Sequence, residues 1–278
     1  MSKDTRAEIE ALRAMLQQIE AHSPPDKIRS ALSAAISQLE RVVHSLELER
    51  EQRHQFVSHI SHELRVPMTS ILGYTDLLRK GVFGSLNEQQ VAFLSVIRNN
   101  VERMSTLVTD LSDLSKAETG ALKLEILELS LQTIIEDVAR NLQPALAEKA
   151  QVLKFDLPDD LPPVLADSMR LSQVVTRLLV NANRYTPEAG QITLRAAQQG
   201  THVLVEICDT GIGIDPAEQA RLFSRFFRGD NPLVREQPGW GLSLSVCKML
   251  IEHMGGNIGC RSNPGEGSTF WFTLPIHL

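Results

Sequence analysis

Apolar residues recur at alternating spacings of four and three from Leu32, with Ile36, Leu39, Val43 and Leu46 following in register. The next two slots hold Arg50 and Arg53, and apolar residues resume at Val57, Ile60 and Leu64. This heptad pattern predicts a long helix that needs a partner. Leu94, Ile97, Val101, Met104, Val108 and Leu111 keep the same alternation after the turn-like stretch at 80–85. Two helices joined by a short loop make an antiparallel hairpin, and its uncovered apolar stripe predicts a homodimer closing a four-helix bundle. Upstream, residues 5–21 read as helical, and Pro24 and Pro25 interrupt them.

From about residue 121 the pattern changes. LKLEILELSL, QVLKFDLP, GQITLRAAQ, HVLVEICD and STFWFTLPI alternate as strands do. Helical patterns lie between them at about 131–148, 168–184, 216–227 and 241–254. Mixed helices and strands over this length predict an α+β protein: a helical hairpin followed by an α/β sandwich. The expected division is a helical, coiled-coil segment at 1–49, a hairpin at 50–118 and a sandwich domain at 119–278.

Charge narrows the functional classes. Residues 1–120 hold 14 basic and 16 acidic side chains and residues 121–278 hold 14 and 18, so neither half is basic. Binding to nucleic acid by charge is therefore not expected. No apolar run approaches the roughly 20 residues that cross a bilayer, and the charged start MSKDTRAEIE is not a secretory leader. The expectation is a cytoplasmic chain without membrane contact of its own. Cys208, Cys247 and Cys260 have no paired spacing and read as small core residues of a reducing compartment.

Several segments carry candidate chemistry. In SHELRVP, with Ile60 at d and Leu64 at a, His62 falls at the outward f position beside Glu63. An exposed imidazole next to a carboxylate can act as a nucleophile, although a solvated helix face has the same composition. Arg177, Asn181 and Arg184 recur at i, i+4 and i+7 and are followed by Tyr185. They form either an ordinary polar face or a site with a hard amide ligand for Mg2+ and a cation for phosphate. DTGIGI follows a strand. Asp209 can accept a hydrogen bond from an adenine amino group and Gly211 and Gly213 let backbone approach a ligand, although a strand-ending turn accounts for the same residues. Gly239 and Gly241 in GWGLSLS open a helical pattern whose exposed N–H groups suit polyphosphate. The polar stretch between Ile214 and Gly239 has the length of a mobile lid.

The order of these segments resembles the kinase core of bacterial two-component sensor histidine kinases. SHELRVP is similar to the family's phosphoacceptor box, NANRYTP to its N box and DTGIGI to its first glycine box. LFSRFFR resembles the phenylalanine box, GWGLSLS the second glycine box, and GEGSTF the last box, which contains Thr269. The resemblance implies a dimerising phosphotransfer hairpin and a gyrase-like ATP-binding sandwich. It implies that His62, assisted by Glu63, takes the γ-phosphoryl group of Mg-ATP and passes it to an aspartate of a response regulator receiver domain. It further implies Asn181 as the Mg2+ position, Asp209 as the adenine acid, and Arg184, Tyr185, Gly211, Gly213, Gly239, Gly241 and Thr269 as nucleotide-site residues.

Four positions depart from the family pattern. Arg177 stands where the family has an asparagine, which predicts weakened magnesium dependence. Val66 replaces a polar residue four positions after His62, which predicts poor phosphatase activity toward the regulator. Trp240 and Ser243 replace a small residue and a glycine, and a serine fits there only at negative φ. These departures leave a second reading, a low-activity or pseudokinase dimer that binds nucleotide as a scaffold, and phosphorylation of His62 separates the two.

Overall fold

The computed structural model describes residues 26–237 and 239–276. The expected helix at 5–21 and its Pro24-Pro25 break lie outside the described residues. Contacts divide the chain into two units, residues up to His62 and residues from Glu63 onward.

Helix α1 runs Asp26–Arg79 and contains Pro67. In the first unit its side chains at Leu39, Leu48 and Phe56 are at least half exposed. The side chains of Arg50 and Arg53 lie outside the described residues. In the second unit α1 meets helix α2, Glu88–Glu118. Met68, Val101 and Val108 are buried together with Leu72 packed against them, and Arg98 approaches Asp76 at 3.7 Å. The loop between the helices ends in a capping box. Gln90 N–H donates to the Asn87 side chain at 2.8 Å, and Asn87 N–H donates to Gln90 Oε1 at 2.9 Å, which satisfies two otherwise orphaned backbone donors. The predicted seam is only partly covered. Val101 and Val108 are buried, whereas Ile97 and Met104 remain 43% and 46% exposed.

The rest of the second unit is a sheet with helices on one face. Strand β1 (Leu127–Leu129) pairs antiparallel with β3 (Val164–Ala166) as a two-stranded sheet. Five further strands are β2 (Val152–Asp156), β4 (Gln191–Gln199), β5 (His202–Asp209), β6 (Ile258–Asn263) and β7 (Gly267–Pro275). Their order is β2-β4-β5-β7-β6, with β2 parallel to β4 and the other pairs antiparallel. Alternate residues face the core: Ile192, Leu194 and Ala196 on β4, Val203, Val205 and Ile207 on β5, and Phe270, Phe272 and Leu274 on β7. Helices α3 (Leu131–Glu148), α4 (Ser168–Tyr185) and α7 (Ser243–His253) supply the opposing layer.

The expected α+β class and the helices near 131–148, 168–184 and 241–254 are observed. The expected helix at 216–227 is reduced to one turn, α5 (Pro216–Gln219), after which turns carry the chain to α6 (Pro232–Glu236). Phe226 within that stretch has φ +61°, outside the helical region. Leu114, near the end of α2, belongs to the large core, and Leu107 and Ala117 pack against it.

Cys247 is buried, and Cys208 and Cys260 are half-buried; all three are free thiols. Burial pushes the Cys247 and Cys260 thiols up to about 12, so neither is a thiolate at neutral pH.

Leu178 is fully buried between α4 and the sheet. Leu178→Ala is expected to cost about 2–5 kcal/mol. The fluorescence of Trp240 and Trp271 during guanidinium unfolding measures it, and a loss below about 1 kcal/mol would mean the site collapses around the smaller side chain.

Candidate functional site: a cleft walled by two helices and a lid

Helix α4 carries the site because its two faces differ. Leu171, Val174, Val175, Leu178, Leu179 and Ala182 are buried, a helical spacing that turns Arg177, Asn181 and Arg184 away from the core. Asp167 caps the start, accepting from Arg170 N–H at 3.1 Å. Lys149 caps the end, donating to the carbonyls of Asn183 and Arg184 at 2.8 and 3.0 Å. A cation on the last carbonyls satisfies orphan acceptors and favours the negative end of the helix dipole.

The stripe at Arg177, Asn181 and Arg184 lines a cleft of about 1380 Å3. Asn181, Arg184, Tyr185, Asp209, Gly213, Gly239 and Gly241 all line it, so seven of the predicted nucleotide-site residues are brought together. Asn181, Arg184 and Tyr185 are half-buried there. Gly211 is not in the lining. Its N–H donates to Asp209 Oδ1 at 2.8 Å and orients that carboxylate. Thr269 is not in the lining either; its neighbours Ser268 and Phe270 line the cleft, because successive strand residues face opposite sides. His62 and Glu63 are exposed on α1. His62 ends the first unit and Glu63 begins the second.

Asp209 closes β5 with only 9% exposure. Gly211 and Ser268 N–H groups both reach Oδ1, at 2.8 and 3.3 Å, so Oδ2 can accept from a ligand. Burial raises this carboxyl above the usual range, and the two backbone donors only partly offset it. The turn that follows is tightly held. Ile212 N–H donates to the Tyr185 carbonyl at 3.2 Å and Gly265 N–H to the Ile212 carbonyl at 2.8 Å. Gly213 has φ +68°, and a Cβ there would sit 1.9 Å from the Asn263 carbonyl oxygen, so no other residue fits.

The lid is ordered by Arg228, a residue without a role in the sequence reading beyond its box. Its guanidinium donates to the carbonyls of Gly239 at 3.1 Å, Gln237 at 2.5 Å and Val234. Glu218 accepts from Asp230 N–H at 2.7 Å and closes the other side of the loop. Gly241, at φ +71°, passes so close to Phe227 that a Cβ would lie 2.5 Å from its carbonyl oxygen. Ser243 is not at positive φ and starts α7, so a serine is tolerated. Trp240 is 60% exposed at the rim of the cleft. Leu242, which precedes α7, offers no side-chain cap, so the amides opening α7 have no side-chain acceptor from that position.

The structure also accounts for Arg177. It forms a bidentate pair with Asp110 on α2, with Nη1 donating to Oδ2 at 3.0 Å and Nη2 to Oδ1. Both side chains are nearly buried. Burial raises the Asp110 carboxyl, against the hydrogen bonds and charge of Arg177. One turn on, Asp113 accepts two bonds from Arg170, at 2.7 and 3.2 Å, and Glu118 pairs with Arg225. Each carboxylate stands on α2 and each cation belongs to the sheet-bearing part. The available signal was a pair of aspartates three apart in VTDLSDLS, within an otherwise seam-forming helix.

The comparisons agree with this architecture. Residues 52–120 match the His Kinase A (phospho-acceptor) domain, and residues 166–278 match the histidine kinase-, DNA gyrase B-, and HSP90-like ATPase family. The chain belongs to the sensor histidine kinases. Sensor histidine kinase GacS of Pseudomonas protegens is 36% identical over 228 residues, which cover 80% of this chain and 24% of that protein. Signal transduction histidine-protein kinase BarA of Escherichia coli is 33% identical over 266 residues, 91% of this chain and 28% of that protein. The chain therefore spans about a quarter of the length of these curated relatives. Full-length ShkA, solved in complex with AMPPNP, matches with a TM-score of 0.68 at 28% identity over 80% of this chain and 46% of that one. Histidine kinase ThkA, solved in complex with response regulator protein TrrA, matches with a TM-score of 0.55 at 25% identity over 84% and 66%. Among the described residues no helix is long and apolar enough to cross a membrane.

Asp209→Asn tests the cost of the buried acid in this sensor histidine kinase. The folded carboxyl titrates above its ordinary value near 3.8. Between the unfolded and folded values it holds a proton that the unfolded chain has released, so stability falls as pH rises through that window and the penalty is complete above it. An amide removes that penalty. The variant is expected to melt higher than wild type at pH 7.5, with the gap closing as pH falls into the ordinary carboxylate range. Equal melting temperatures at both pH values would show that the carboxylate carries no net desolvation cost.

Proposed function

We propose that this chain is the catalytic core of an ATP-dependent protein-histidine kinase that phosphorylates His62 and passes the phosphoryl group to an aspartate of a response regulator receiver domain. The observation that carries the reading is the convergence of Asn181, Arg184, Asp209, Gly213 and the α7 N-terminus on one cleft, in a chain whose upstream helix exposes His62 beside Glu63. In this reading Asp209 Oδ2 accepts from the adenine amino group, and Tyr185 contributes its ring face or hydroxyl. The α7 N-terminus and Arg184 hold the polyphosphate. The helical hairpin at 50–118 dimerises and carries the phosphoacceptor, and the sandwich at 119–278 holds the nucleotide.

Magnesium fits the donor set. The Asn181 amide is a hard oxygen donor in the cleft wall, and Mg2+ ordinarily needs only one or two protein oxygens besides phosphates and water. The neighbouring Arg177 does not stand free to repel it, being bonded to Asp110. Bound Mg2+ would neutralise charge on the polyphosphate.

The transfer balances without a further reactant. An imidazole nitrogen of His62 attacks the γ-phosphorus, the bond from phosphorus to the β–γ bridging oxygen breaks, and ADP leaves with that electron pair. The imidazole proton passes to Glu63. The resulting phosphohistidine is high in energy and suits onward transfer to a carboxylate. The exposed apolar residues Ile97 and Met104 support a homodimer that covers them in a four-helix bundle, and the acidic composition supports a chain working without nucleic acid.

The deciding experiment is incorporation of γ-labelled phosphate from Mg-ATP into wild type and His62→Gln. An acid-labile, base-stable label that the substitution abolishes is the expected result. Bound nucleotide without label would establish the scaffold reading instead. Val66, 59% exposed one turn beyond His62, offers no hydrogen bond to a water. Val66→Thr is therefore expected to speed dephosphorylation of the regulator severalfold while leaving autophosphorylation within about twofold, read as phosphate release from labelled regulator with ADP excluded. An unchanged rate would remove position 66 from the phosphatase account.

A further inference from the structure

Among the described residues, four arginines and five carboxylates line the cleft, with no lysine or histidine. A nucleotide polyphosphate entering it meets two arginines that already have acceptors. Arg228 is committed to lid carbonyls. Arg177 is committed to Asp110, although it lies one turn from Asn181 on the same stripe of α4.

The Arg177–Asp110 pair differs from the other ionic ties of α2 in its location. Both partners line the cleft, whereas Asp113 and Arg170 do not. Guanidinium binds phosphate oxygens with the same planar fork it offers a carboxylate. Asp110 is a disadvantaged acceptor, because burial disfavours its charge. An incoming phosphate chain brings more negative charge than one carboxylate and keeps part of its hydration at the open side of the cleft.

We propose that Arg177 is a shared cation, held by Asp110 in the nucleotide-free protein and taken by the polyphosphate when nucleotide enters, so that loading the cleft loosens α2 from α4. Arg177 is then a nucleotide-binding residue of this chain, and Asp110 is its internal competitor. The Arg170–Asp113 and Arg225–Glu118 pairs keep α2 attached while the first tie exchanges. This rests on the reading of the cleft as a nucleotide site.

The test uses the full chain, AMPPNP with Mg2+, calorimetry and backbone hydrogen exchange. In wild type, AMPPNP is expected to raise exchange over residues 107–114 while protecting the amides at 211–214. Asp110→Asn removes the competing charge and is expected to bind AMPPNP about 3- to 10-fold tighter, a difference well within calorimetric resolution. Arg177→Gln is expected to bind it more weakly by a similar factor and to abolish the nucleotide-dependent rise in exchange. Asp113→Asn, which loosens α2 outside the cleft, is expected to stay within about twofold of wild type.

Unchanged or weaker binding by Asp110→Asn overturns the proposal, as does equal tightening by Asp113→Asn, which would mean that loosening alone matters. The wild-type exchange measurement decides the point without any variant: protection rather than exposure of 107–114 also overturns it. Absence of AMPPNP binding in every form would remove the nucleotide reading itself, and the shared cation with it.

Discussion

Everything in the cleft depends on how α4 is seated. Its apolar face is fully buried at Leu171, Val174, Val175, Leu178 and Leu179, and those contacts fix the helix in rotation as well as position. A helix held this way has no freedom to redirect the stripe at Arg177, Asn181 and Arg184. Lys149 and Asp167 then fix its two ends, so the C-terminal turn meets the Asp209 turn at a set height. The bond from Ile212 N–H to the Tyr185 carbonyl is a consequence of that seating. Core packing and ligand geometry are thus one problem solved by one helix, and a cavity beneath Leu178 would be felt at Asn181.

The electrostatic design is uneven in a way that net charge conceals. A chain at −6 has no general attraction for a polyanion, and the cleft itself holds more carboxylates than arginines. Attraction must come from a few placed groups and from backbone dipoles, which act at short range and are not diluted by distant charges. This favours a site that selects by geometry. It also explains why α2 carries its acids where it does: a carboxylate on α2 facing a guanidinium of the sheet-bearing part is attached by charge, in a low-dielectric setting where loss of either partner leaves the other buried and unpaired.

The sequence made most of this architecture legible, and the failures have physical causes. Long elements with strong periodicity, such as α3 and α4 or β4 and β5, announced themselves because burial acts on every second residue of a strand or every third to fourth of a helix. β3 is three residues in a proline-rich stretch, and β6 reads IGCRSN with glycine, arginine and asparagine; both are strands because neighbours pair with them. The helix expected over 216–227 failed for a different reason, since its apolar residues share no continuous face: Leu222 and Phe223 pack against the core while Phe226 is exposed. Thr269 lies one residue from Ser268 and Phe270 of the cleft lining, and in a strand one residue is the difference between two sides of a sheet.

Asp110 and Asp113 illustrate a deeper limit of reading a helix by its seam. Heptad analysis sorts residues by whether they face one partner helix, and it assigns polar residues off that seam to solvent. Near its C-terminal end α2 has a second neighbour, and Asp110, Ser112, Asp113, Leu114 and Ser115 are all buried. A helix enclosed on several sides no longer reports burial through apolar character, because its polar residues are satisfied by partners far away in sequence: Arg177 lies 67 positions from Asp110 and Arg170 lies 57 from Asp113. The arginine at 177 was visible as a departure from the family pattern, whereas its acid partner drew no reading at all within the hairpin. Only the fold brings them together, and once paired they explain each other: the hairpin tolerates a buried acid because α4 supplies its counter-charge, and α4 tolerates a nearly buried arginine one turn from Asn181 because the hairpin neutralises it.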